Sequence, residues 1–218
     1  VPAFAHHNLL TGADGEGLSK RLGSLSLSDL REAGYEATAV AAIAVLTGTS
    51  LPVTAHADLD SMAVGFELSV ISHGAARFDP AELDSLNARI LHDMPFERAR
   101  PRLVPLDLDD EALWLALRGN LARFPEIADL ATLVRGPVTP VVADEDRAFL
   151  ATARELLPPE PWSEATWGEW TNAVKAATGR KGRALFHPLR LALTGREAGP
   201  ELRSLLPLLG RTESLARL

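Results

Sequence analysis

A lysine set among small neighbours carries the first chemistry of this chain. Residues 14–23 read DGEGLSKRLG and place Ser19, Lys20 and Arg21 between flanking glycines. A lysine ammonium in such a loop can reach a phosphate chain and neutralise charge that develops there. Ser19 offers a hydroxyl to the same oxygens, and glycines admit close backbone approach. Composition alone also allows a plain surface turn, so both readings stand at this point.

A second candidate lies at the other end of the chain. Residues 171–218 carry nine Lys/Arg against three Asp/Glu, while residues 1–170 carry 13 against 26, within an overall formal charge of -7. An acidic body with a basic end points to a polyanion partner; an arginine-rich helical surface is the plainer alternative. Trp162, Trp167 and Trp170 could stack on nucleobases, but at amphipathic-helix spacing they read first as core. His6 and His7 are adjacent, would face opposite ways on a strand, and are read as structural.

Other chemistries find no footing. There is no GxxxxGK[ST] loop, no HExxH and no recognisable Ser-His-Asp spacing. The chain has no cysteine, which excludes disulfides and thiolate metal sites and fits a cytoplasmic protein. No metal site is expected. No apolar run approaches the roughly 18 residues of a membrane span, so no membrane association is expected. No signal peptide is evident at the start, and a first residue of Val rather than Met suggests a piece of a longer chain.

The elements that must position these groups are mostly helices. Asp29 with Glu32 reads as a capping pair, with Gly34 as the stop. The stretch EATAVAAIAVLTG follows as a buried helix. FDPAELDSLNARILHDM carries a strong start signal: Asp79 as N-cap, Pro80 at the first helical position and Glu82 in the box position. Further helices are predicted in DDEALWLALRGNLARF, bent near Gly119, over 144–157, over 163–179, and in two or three pieces after residue 179. Strand signals are few: FELSVISH (66–73) is the best and RLVPLDL (102–108) is weaker. GPVTPVV (136–142) and PPEPW (158–162) read as boundaries between helical subdomains. The predicted fold is mainly α, built of small stacked helical bundles with little strand.

On these residues a family resemblance rests. FAHHNLLTGADGEGLSKRLGSLSLSDLREAGY resembles the region of the second signature motif in class I aminoacyl-tRNA synthetases of the glutamyl type. In that family a KLSKR-type loop follows a histidine-containing strand and precedes a short helix; here the motif stands as Gly17-Leu18-Ser19-Lys20-Arg21. ARFDPAELDSLNARILH is similar to a helix of the same family. The last forty residues resemble the C-terminal anticodon-binding end of bacterial glutamyl-tRNA synthetases. The resemblance covers essentially the whole chain, with specific motifs at both ends and a loose match over about 95–160.

The resemblance implies a role for Lys20 on the ATP phosphates during glutamyl-adenylate formation, with Leu18, Ser19 and Arg21 in the same loop. Gly17 stands where the family often has a lysine, so one phosphate contact is weakened or supplied from elsewhere. Arg190 and Thr194, within His187–Gly195, correspond to a segment facing the anticodon loop, and Arg180, Lys181 and Arg183 precede them. Arginine planes stack on unpaired bases and fork onto phosphates. Nothing matches the family's N-terminal nucleotide-binding fold or its His-Ile-Gly-His type motif.

The chain is therefore read as the C-terminal portion of the enzyme, inactive alone. Residues 1–25 would end the catalytic domain, 26–95 form the stem-contact region, and 96–142 and 143–218 form two anticodon-binding subdomains. The implied partners are glutamate tRNA, with ATP, Mg and glutamate for the whole enzyme, acting as a monomer. A freestanding tRNA-binding module that keeps the loop, or a relative that glutamylates glutamine tRNA, are the alternatives.

Overall fold

A computed structural model describes residues 2, 4, 6–12, 15, 26–64, 66–72 and 74–218. The chain divides into two compact units: residues 1–95 together with 121–126, and residues 96–120 together with 127–218. Their described elements are overwhelmingly helical, with one two-stranded sheet among them.

In the first unit, β1 (Leu10–Thr11) pairs in parallel with β2 (Ala76–Arg77), Leu10 opposite Ala76. Helices α1 (Leu27–Glu32), α2 (Ala37–Leu46), α3 (Leu59–Ala63) and α4 (Pro80–Asp93) follow the chain order. The predicted start of α4 is as read: Asp79 Oδ1 accepts from the Ala81 N–H at 2.9 Å, with Pro80 at the head. Leu83, Leu86, Ile90 and Leu91 form its buried stripe and pack on α2. The cap of α1 lies three residues earlier than the predicted pair. Ser26 is the N-cap: its hydroxyl accepts from Asp29 N–H at 3.1 Å, while the Asp29 carboxylate accepts from Ser26 N–H at 3.0 Å. Asp29 thus fills the box position that Glu32 was expected to hold.

Residues 121–126 belong to this unit because side chains of α4 and the connection between α1 and α2 hold them. Asn87 is fully buried; its Oδ1 accepts from Glu36 N–H at 2.7 Å and its Nδ2 donates to the Ala122 carbonyl at 2.6 Å. Arg123 lies over the Tyr35 ring, 3.8 Å from its centroid, and pairs with Asp84. Gly34, at φ +84°, sits where a Cβ would come within 2.3 Å of Pro125 Cδ. Asn87→Ala leaves the buried Glu36 N–H and the half-buried Ala122 carbonyl without their partner. It should cost about 2 kcal/mol, read as a shift in the urea midpoint at unchanged slope.

The two strand expectations fail. Residues 66–73 contain a 3-10 turn at Leu68–Val70 and one bridge, Ile71 to Thr49. Alternation there is not rewarded, because Leu68 is 62% exposed and, among the described residues, pairing alongside is limited to the bridge with Thr49 and its flanking hydrogen bonds. Residues 102–108 end helix α5 (Phe96–Leu103) and continue as a 3-10 turn, closed by Asp107 in the left-handed region.

The second unit holds α5, α6 (Glu111–Leu117), α7 (Ile127–Arg135), α8 (Arg147–Glu155), α9 (Glu164–Thr178), α10 (Arg183–Thr194) and α11 (Leu202–Arg217). The interruption expected near Gly119 is present as a 3-10 turn at Arg118–Asn120. Helix α11 is central: it packs against α6, α7, α9 and α10, with Leu205, Leu206 and Leu209 buried and a kink at Gly210. The segments 136–142 and 158–162 both lie within this unit.

Candidate nucleic-acid interface

The loop between α9 and α10 is built by two glycines. Gly179 ends α9 at φ +71°, and Gly182 precedes α10 at φ +57°. Between and just after them, Lys181 and Arg183 are exposed. Helix α10 has glycine at its N-cap, so no side chain caps its first amides, and the two cations stand on either side of that glycine.

Arg180 has a different position. Its guanidinium pairs with Asp146, donates to the Glu145 carbonyl at 3.2 Å and lies over Phe149, 4.4 Å from the ring centroid. It also donates to the Ala184 carbonyl at 3.4 Å. Pro188 explains that last contact: having no N–H, it leaves the Ala184 carbonyl without its i+4 donor. Arg180 therefore tethers the start of α10 to the start of α8, and its charge is largely spoken for within the domain.

Arg190 borders a cleft of about 300 Å³ lined by Trp167, Phe186, Glu201, Leu202 and Arg203. Its Nη2 donates to the Pro200 carbonyl at 3.1 Å, and its Nη1 is buried without a hydrogen-bond partner. Burial pushes the Arg190 guanidinium down from its ordinary value. The cleft brings an arginine and two aromatic side chains to one surface, the residue types that receive a planar ring carrying hydrogen-bond acceptors. Trp167 stands edge-on to the buried Trp170 at 5.6 Å and tilts against Phe186 at 6.2 Å. Phe186 is 44% exposed, which the sequence pattern did not flag. Its signal was available: residue 186 falls one position off the buried stripe of α10 defined by Leu185, Leu189, Ala192 and Leu193.

Thr194 is only 3% exposed. Its hydroxyl donates to the Arg190 carbonyl at 2.7 Å and accepts from Arg196 N–H at 3.2 Å, closing α10 ahead of Gly195. Residue 194 thus orders the turn, with its hydroxyl engaged by the end of the helix itself. Gly195 has no alternative there: at φ +66° its Cβ would lie 2.7 Å from the Thr139 carbonyl oxygen.

The basic end is less free than its composition suggests. Arg196 forks onto Asp129 at 2.8 and 3.0 Å, Arg203 meets Glu201 at 2.7 Å, and Arg211 donates to the Pro158 carbonyl at 3.2 Å. Arg217 is buried. Lys175, Lys181 and Arg183 face outward, and Arg190 and Arg203 line the cleft. Leu18, Ser19, Lys20 and Arg21 lie outside the described residues. Among the described residues no cluster of His, Asp and Glu has the makings of a metal site, and no helix is long and apolar enough to cross a membrane. The ring of His7 reaches the Val45 carbonyl at 3.3 Å.

A helical domain of this arrangement, with an arginine-lined aromatic cleft beside a glycine-bounded cationic loop, has an identifiable class. Residues 96–218 match the anticodon binding domain family, and the chain belongs to it. Over its whole length the chain is 60% identical to glutamate–tRNA ligase 2 of Xanthobacter autotrophicus and 57% identical to glutamate–tRNA ligase 2 of Methylorubrum populi. Those matches take in 48% and 49% of the relatives, so the chain spans about half the length of the curated relatives it matches. The crystal structure of a glutamate-tRNA synthetase from Elizabethkingia anophelis shares the fold: TM-score 0.75 at 18% identity, over 100% of this chain and 50% of that one.

Proposed function

We propose that this chain is the C-terminal portion of a glutamate–tRNA ligase, and that its second unit binds the anticodon arm of glutamate tRNA. The observation that carries the reading is the cleft that Arg190 lines together with Trp167 and Phe186, inside the anticodon-binding domain. An unpaired base stacks on an aromatic face and offers Arg190 an acceptor, while Lys181 and Arg183 hold the flanking phosphates. Lys175 extends the same basic surface along α9. Arg180 and Thr194 support from behind: one fixes the start of α10, the other its end.

In the whole ligase, Lys20 grips the ATP phosphates as glutamate is activated, with Leu18, Ser19 and Arg21 completing the loop. Mg would accompany ATP there. Domain roles follow the same reading: residues 1–25 close the catalytic domain, 26–95 contact the tRNA stem, and the remainder reads the anticodon. The protein would act as a cytoplasmic monomer.

Fluorescence titration of the chain with anticodon stem-loops at two salt concentrations tests the binding half of this proposal. Arg190→Ala should weaken the cognate stem-loop by about 1–3 kcal/mol and blur its advantage over a scrambled anticodon. Arg183→Ala should leave preference intact and flatten the salt dependence by about 0.7 log units per tenfold change in salt, the loss of one phosphate contact. A wild-type chain with no preference between cognate and scrambled loops would remove anticodon reading from the proposal. Substituting a glutamine stem-loop in the same titration separates the two tRNA partners.

A further inference from the structure

Helix α2 has no polar face. Its ten residues, ATAVAAIAVL, include one hydroxyl, Thr38, and that residue is buried. Thr38, Ala39, Ala42, Ile43 and Leu46 face the interior of the first unit; Ala37, Val40, Ala41 and Ala44 form a second apolar stripe at i, i+3, i+4 and i+7. A helix apolar on every side belongs in an interior, whereas a surface helix turns charged residues to water. Across from this stripe α1 presents Leu27, 73% exposed, and the two helices enclose a groove of about 400 Å³. A second cavity of about 160 Å³ shares Leu27, Leu30, Val40 and Ala44 and continues to Leu10, Phe78 and Leu83. Arg31 is the charged residue on the groove's lining.

We infer that the α1–α2 groove is a protein docking surface whose occupant is the half of the ligase that this chain does not span. The inference rests on the reading of the chain as one portion of a glutamate–tRNA ligase. Two observations select this occupant. The curated relatives are about twice the length of the matched region, so a large polypeptide accompanies it in them. Leu27 on the groove and Leu10 in the adjoining cavity also bracket in sequence the loop proposed to complete a catalytic site with that other half. Small side chains at Ala37, Ala41 and Ala44 let a partner backbone approach closely. The occupant is therefore an apolar ridge, with a carboxylate placed to meet Arg31.

The test compares the 218-residue chain with a fusion in which the unmatched half of the Xanthobacter autotrophicus relative precedes it. The chain has no cysteine, so Ala44→Cys supplies a single reporter in the chain. Its maleimide labelling should be about tenfold or more slower in the fusion than in the chain alone, while Asn172→Cys in α9 labels equally in both. Ala44→Glu should leave the melting temperature of the chain within about 1 °C and lower that of the fusion by about 4 °C or more. Equal labelling of Ala44→Cys in both proteins, or equal melting shifts, would overturn the inference. Labelling that is already slow in the chain alone, and quickens on dilution, would assign the groove to a second copy instead and equally overturn it. The stem-loop titration reads the second unit alone, so anticodon binding can fail while groove protection persists, and the reverse.

Discussion

Arg217→Ala should lower the unfolding free energy of the chain by about 2–5 kcal/mol, the cost of leaving two buried backbone carbonyls without their donor. The residue is 3% exposed near the end of α11. Its Nη1 donates to the Leu133 carbonyl and to the Leu193 carbonyl, both at 2.7 Å, and its Nε donates to Glu213 at 2.7 Å. Those two carbonyls belong to the last turns of α7 and α10, where four backbone acceptors have no intrahelical donor. A cation there also opposes the negative ends of two helix dipoles. Truncation would orphan both carbonyls inside the domain, and each unmet buried acceptor costs about 1–3 kcal/mol. Guanidinium chloride denaturation followed by tryptophan fluorescence measures the loss, since Trp114 and Trp170 are buried in the same unit. A shift below about 1 kcal/mol would mean that water replaces Arg217 at both helix ends. Arg217→Lys should recover only part, because a single ammonium lacks the planar fork.

Lys20→Ala, in the fusion that restores the length of the relatives, should depress glutamate-dependent ATP–pyrophosphate exchange about 10²–10³-fold. That is the usual effect of removing one donor from charge that develops in a transition state. Stem-loop affinity should stay within about twofold, since the substitution leaves the anticodon-binding domain intact. Weakened stem-loop binding with unchanged exchange would transfer Lys20 from nucleotide chemistry to tRNA contact. The 218-residue chain alone should show no exchange above background.

Local interactions made much of the fold legible in advance. Asp79 and Pro80 start α4 through contacts within two residues, and Gly179 and Gly195 end their helices because the backbone there turns left-handed. The buried stripes of α4 and α10 follow from helical spacing, and the resemblance of both chain ends to one family was readable from short motifs. The strand expectations at 66–73 and 102–108 failed for the complementary reason: a strand is stabilised by partners, and alternation does not supply them.

Charge shows the division most clearly. Composition placed a net positive end after residue 170, yet Arg196 and Arg180 meet Asp129 and Asp146 from the acidic body. Ion pairs join residues distant in sequence, so a count along the chain does not say which cations face solvent. The tertiary structure decides that Arg217 caps two helices, that Thr194 closes a turn, and that Trp167 and Phe186 flank Arg190. Residue type set what each side chain could do; the packing of α7, α9, α10 and α11 set which of them are left to meet a ligand.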